Sequence, residues 1–247
     1  MTYETNDVTI NYIMYGQEKK DTIVLLHGWG QNIEMMRMLG DPFAETHNVL
    51  IIDLPGFGKS QQPTYPWMLR DYINAVENLL KFLKIKNPIM IGHSFGGKLA
   101  LIYASLYETK KLVLLASPIN HNTRGLSLKT KTLKTLKKIP LLSNFADFAK
   151  KHIGSTDYKN ASKIMREIMV NHVNEDAFDV LKKIKCPTLL IWGTNDTAVD
   201  IDVAYLLEKE ISNAGLVVYE NATHYAYLER KDQTINVLRS FLGSEER

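Results

Sequence analysis

The chain has 247 residues, 45% apolar and 23% charged, with a formal net charge of +3, enough to bury the core of one large α/β domain or two small ones. No apolar run approaches the roughly 20 residues of a bilayer-spanning helix, and the start, Met1-Thr2-Tyr3-Glu4-Thr5-Asn6-Asp7, lacks the basic and apolar regions of a secretory signal. The single cysteine, Cys186, excludes an internal disulfide, so the expected location is the cytoplasm.

Val8 to Tyr15 alternates well enough for a half-exposed strand, stopped by Gly16. Thr22 to Leu26 is a continuous apolar run, as expected of a strand covered on both faces, and it ends in His27-Gly28-Trp29-Gly30. A short helical stretch near Ile33 to Leu39 precedes the next buried strand, Asn48 to Ile52. That strand runs into the turn-rich loop Asp53-Leu54-Pro55-Gly56-Phe57-Gly58-Lys59-Ser60. After Pro66, the spacing of Tyr72, Val76, Leu79, Leu80 and Leu83 predicts an amphipathic helix.

Ile89-Met90-Ile91-Gly92-His93-Ser94-Phe95-Gly96-Gly97 comes next, an apolar run ending in Gly-x-Ser-x-Gly with a helical pattern starting at Lys98. A serine in that setting is expected at the tip of a sharp strand-to-helix turn, at positive φ, with its Oγ held out of the turn. The Phe95 N–H, opening the helix, points to the same space. Lys111 to Ala116 is a further buried strand. The strand–helix rhythm then breaks after Ser117-Pro118, and helical patterns follow at Leu128 to Ile139, Leu142 to His152 and Ala161 to Val173. It returns with a strand at Cys186 to Trp192, a helix at Ile201 to Ile211, a strand at Leu216 to Tyr219 and a closing helix at Asp232 to Leu242. Cys186, before Pro187 and a strand-like run, reads as a buried small hydrophobe. This alternation implies an α/β fold with a doubly wound, mostly parallel sheet.

The strand, the Ser94 turn and the following helix resemble the nucleophile elbow of the α/β-hydrolase superfamily. The resemblance implies a core of residues 1–118 and 177–247, with a helical cap of residues 119–176 inserted after the sixth strand. It also implies the order Ser, acid, His along the chain. Asp196, in Gly193-Thr194-Asn195-Asp196, and His224, in Asn221-Ala222-Thr223-His224, each follow a predicted strand and match the superfamily's acid and base. Ser94, His224 and Asp196 are therefore the expected catalytic triad. The Phe95 N–H and, by resemblance, the Trp29 N–H are the expected oxyanion donors.

The other histidines fit less well. His47, His121, His152 and His172 fall away from strand ends and are expected at the surface. His93 is expected to point away from Ser94 and serve packing, and His27 precedes the acid. Asp200 and Asp202 read as charges at a helix N-terminus, and Asp53 belongs to a loop that is structural in the superfamily. No zinc-ligand spacing, dinucleotide fingerprint or complete phosphate loop occurs, so neither metal nor cofactor is expected.

Charge is unevenly spread. Residues 119–185 carry 14 Lys/Arg against 6 Asp/Glu, while the remainder carries 16 against 21. From Arg124 to Lys151 there are eight positive residues and one acid, Asp147. A solvated helix face accounts for this, and so does an acidic partner or substrate: an acyl carrier protein, a coenzyme A thioester or a carboxylate-bearing ester. Nucleic acid is not expected, because the basic run lacks interleaved aromatics. The reading is a serine carboxylesterase on small to medium acyl esters. Hydrolysis of C–C bonds, acyl transfer, thioester hydrolysis and a hydrolase-fold ligand receptor are the alternatives.

Overall fold

The five-residue apolar runs line up as the centre of one eight-stranded sheet. The structure is a computed structural model, and it describes residues 1–5, 7–16, 18–119 and 161–243. The strands are β1 (Thr2–Glu4), β2 (Thr9–Tyr15), β3 (Thr22–Leu26), β4 (Asn48–Ile52), β5 (Ile89–His93), β6 (Lys111–Leu115), β7 (Thr188–Gly193) and β8 (Ala214–Tyr219). Their order is β1-β2-β4-β3-β5-β6-β7-β8. β1 and β2 pair antiparallel, as do β2 and β4. Every other neighbouring pair is parallel. The doubly wound, mostly parallel sheet expected from the sequence is therefore present.

The helices are α1 (Ile33–Gly40), α2 (Leu69–Phe82), α3 (Phe95–Leu106), α4 (Lys163–Asn174), α5 (Ile201–Glu210), α6 (Ala226–Glu229) and α7 (Lys231–Leu242). Alternate strand residues face opposite sides, which divides the apolar core in two. Val24, Leu26, Leu50, Ile52, Met90 and Leu114 pack with α2, α3 and α5. Ile23, Leu25, Val49, Ile51, Ile91 and Val113 pack with α1 and α7 on the other face. Each central strand is buried on both sides, which is why its sequence is an unbroken apolar run and not an alternation.

Helix starts follow local chemistry. Asn32, Ser162 and Asp200 accept hydrogen bonds from the amides of Glu34, Met165 and Asp202, capping α1, α4 and α5. Of the three helical patterns read in residues 119–176, the last is α4. The first two, and the basic stretch Arg124 to Lys151, lie outside the described residues. The described helices include none long and apolar enough to cross a membrane.

Candidate active site

β5 delivers Ser94 to the carboxyl-terminal edge of the sheet, and α3 starts at the next residue. Ser94 has φ 49° and ψ −111°, a conformation that costs a non-glycine residue roughly 1–3 kcal/mol. The turn is fastened on both sides. Ser94 N–H donates to the Leu115 carbonyl at 2.9 Å, and its own carbonyl accepts from Lys98 N–H at 3.0 Å. A Cβ on Gly92 would come within 2.6 Å of Gly97 Cα, and one on Gly96 within 2.6 Å of the Leu26 carbonyl carbon. Glycine at both places is a steric requirement of the turn.

Asp196 and His224 arrive from the ends of β7 and β8. His224 Nδ1 lies 2.9 Å from Asp196 Oδ2. The other carboxylate oxygen accepts from the amides of Ala198 (2.8 Å) and Val199 (2.9 Å). The Asp196 side chain is fully buried, while that of His224 is 14% exposed. The loops carrying the two residues are laced together. Thr194 N–H donates to Tyr219 O, Asn195 N–H to Ala222 O, and Asn221 N–H to Thr194 Oγ1. Such a pair can accept a proton at His224 Nε2 while the carboxylate stabilises the resulting cation. Ser94 Oγ makes no hydrogen bond to His224 among the described residues.

The loop after β3 brings up Trp29. Gly96 N–H, in the first turn of α3, donates to His27 O at 3.1 Å, which ties this loop to the elbow. Gly28 N–H donates to Gln31 Oε1 at 2.9 Å. Neither the Trp29 nor the Phe95 amide has an acceptor among the described residues, so both are available to a developing oxyanion. His27 is fully buried. Its Nε2 accepts from Leu54 N–H at 2.9 Å, and its Nδ1 lies 2.7 Å from Gly28 O. Burial pulls its pKa down to about 4. It is a neutral strut between two loops and has no lone pair left for Ser94. Asp53 is likewise consumed, accepting from Ile33 N, Asn11 Nδ2 and Lys59 N at 2.7–2.8 Å.

Aromatic rings close around these groups. Trp29 meets Phe57 edge-on at 4.8 Å and Phe95 at 5.4 Å. A cleft of about 340 Å3 opens beside them, lined by Trp29, Gln31, Phe57, Gln62 and Met165. His172 of α4 is 3% exposed and sits 4.6 Å from the Phe95 ring, parallel to Trp29 at 6.5 Å. This corrects the surface position expected for His172: α4 lies over the elbow, which a helical pattern read in isolation does not reveal.

The five residues singled out in the sequence thus converge on one sheet edge, with Asp196 and His224 in direct contact. Sequence reasoning missed three others. Lys98, fully buried, donates from Nζ to His172 O at 2.7 Å and to Glu175 O, pinning the end of α4 to α3. Gln31 braces the Trp29 loop. The His93 ring meets the base loop and not only apolar packing. The partners of Lys98 and His93 are distant in sequence, and Gln31, besides its local bond to Gly28, meets His93 62 residues away. Cys186 is buried, and burial raises its thiol pKa, as befits a core residue. Among the described residues, no three His, Cys, Asp or Glu side chains converge as a metal ion requires.

A family model described as alpha/beta hydrolase fold matches residues 21–154 and 119–231. The chain is 28% identical to a 2-hydroxy-6-oxononadienedioate/2-hydroxy-6-oxononatrienedioate hydrolase of Paraburkholderia phymatum, over 91% of this chain and 88% of that protein. It is 26% identical to Lipase 1 of Psychrobacter immobilis, over 93% of this chain and 79% of the relative. Among solved structures, an esterase from Exiguobacterium antarcticum superposes with a TM-score of 0.77 at 21% identity, covering 96% of each chain.

Proposed function

Because the chain belongs to the alpha/beta hydrolase fold family, we propose that it is a serine hydrolase of carboxylic esters with small to medium acyl groups. The observation that carries this reading is the His224–Asp196 pair at 2.9 Å on the sheet edge to which β5 delivers Ser94 in a positive-φ turn. A serine hydroxyl is a weak nucleophile at neutral pH and needs such a base.

Ser94 Oγ attacks the ester carbonyl as His224 Nε2 takes its proton. The carbonyl electrons move onto oxygen, where the Trp29 and Phe95 N–H groups receive them. Asp196 keeps the Nδ1 proton of His224 in place and offsets the imidazolium charge. As the tetrahedral adduct collapses, His224 returns the proton to the departing alkoxide, which leaves as the alcohol. The ester of Ser94 is then attacked by water, again with His224 as base, releasing the acid and free serine. Residues 119–176 are proposed as the cap over this site, a reading supported by the contact of His172 with Phe95 and Trp29.

The test is stopped-flow hydrolysis of p-nitrophenyl esters from acetate to octanoate by wild type and Ser94→Ala. A burst stoichiometric with enzyme, then steady turnover, both absent in the variant, is the expected result. The sequence similarity to a dienedioate hydrolase supports a second reading, C–C bond cleavage by the same triad. Product analysis with a β-diketone substrate separates the two.

A further inference from the structure

His93 is the last residue of β5, immediately before Ser94, and the residue is 1% exposed. The ring lies wedged between two loops. Its Nε2 is 3.2 Å from the main-chain carbonyl of His224, 131 residues away, and its Nδ1 is 3.3 Å from Gln31 Oε1. It packs against the rings of His224 (4.8 Å), Tyr225 (5.4 Å) and Tyr227 (4.8 Å). On the other side it fills the space left by a missing side chain: a Cβ on Gly28 would stand 2.7 Å from His93 Nδ1.

We propose that His93 is a positioning residue for His224, donating from Nε2 to the His224 carbonyl and so fixing the base loop relative to both the elbow and the Trp29 loop. Two features give the ring its form. Burial, with the rings of His224 and His27 nearby, holds His93 well below the ordinary histidine pKa, so it carries a single N–H. The His224 carbonyl can only accept, and its contact with Nε2 at 3.2 Å is shorter than that of Gln31 Oε1 with Nδ1 at 3.3 Å, which favours the proton on Nε2. An uncharged neighbour also suits the proposed chemistry. His224 becomes a cation during acyl transfer, and a second cation 4.8 Å away would oppose it.

The inference rests on the hydrolase reading for its kinetics but not for its structure, and the test keeps the two apart. His93→Phe keeps a ring but loses the donor. His93→Gln carries an amide to the place of Nε2, whereas His93→Asn reaches only to that of Nδ1. The expected kinetic result with p-nitrophenyl butyrate is a kcat lower by about tenfold or more in His93→Phe, with KM within about twofold, because misplacing a catalytic group costs turnover more than binding. His93→Gln recovers most of the loss and His93→Asn does not. Wild-type kcat in His93→Phe, or equal activity in the Gln and Asn variants, overturns the proposal, and the amide pair decides alone if the Phe variant does not fold. The second readout is the proton NMR signal of His224 Nδ1–H, expected to exchange slowly in wild type and His93→Gln and to broaden away in His93→Phe. Unchanged exchange in all three overturns the proposal. An inert wild type with this exchange pattern would sink the hydrolase reading and leave the positioning role standing.

Discussion

Asp196 spends one carboxylate oxygen on two backbone amides and the other on His224 Nδ1. Replacing it with asparagine keeps the shape but changes which tautomer of His224 is held. Asp196→Asn is therefore expected to lower kcat by about 10⁴, with a circular dichroism spectrum like that of wild type; a loss under tenfold would argue against its role. His27 makes a pH-dependent claim. Its pKa is about 4 folded against an ordinary 6.5, so below pH 6.5 the unfolded chain binds a proton that the fold refuses. Its contribution to stability is complete above pH 6.5 and declines as pH falls toward 4. Urea midpoints of His27→Gln should vary less between pH 7 and 4.5 than those of wild type; equal pH dependence would contradict the assignment. The placement of Ser94, Asp196 and His224 just after strands was legible because each sits in a short local pattern after an apolar run. His93 and His172 were not, because what defines them is a contact with residues far along the chain, His224 for the one and Trp29 and Phe95 for the other.

Two helices end on buried lysines. Lys98 donates to carbonyls in and just beyond the last turn of α4, and Lys111 donates to the carbonyls of Phe241 and Leu242 at the end of α7. A cation there meets orphan carbonyls and the negative end of the helix dipole. For Lys98, burial nonetheless wins over the attraction of Glu175 and Asp176, and the pKa falls to about 8. A lysine that deprotonates more readily folded than unfolded adds stability as pH rises from about 8 to its ordinary 10.5. Lys98→Arg stays charged across that window, so the urea midpoint of wild type should gain on it between pH 8 and 10; a constant gap would refute the shift. At this scale the buried strands were plain from their unbroken apolar runs, and α5 and α7 from their periodicity. β1 was missed because three residues, Thr2–Glu4, carry too little pattern, and its antiparallel pairing with β2 is what makes it a strand. The 3-10 turn at Phe178–Lys183 was missed for the same reason: only Leu181 of its six residues is buried.

All the groups in the proposed mechanism come from one edge of the sheet: Trp29 after β3, Ser94 after β5, Asp196 after β7 and His224 after β8. Parallel strands make this possible, since each delivers its carboxyl end, and the loop that follows it, to the same side. The doubly wound sheet was readable because strand and helix patterns alternate. The close fit of the loops was not, because it depends on small features such as the missing side chain of Gly28 beneath His93. The central claim is a covalent ester on Ser94, and the direct measurement is peptide mapping by mass spectrometry after rapid acid quench with p-nitrophenyl butyrate. A butyryl adduct on the peptide containing Ser94, absent from Ser94→Ala, is the predicted result. Ester consumed at the wild-type rate with no adduct, or with an adduct on another residue, would contradict the account.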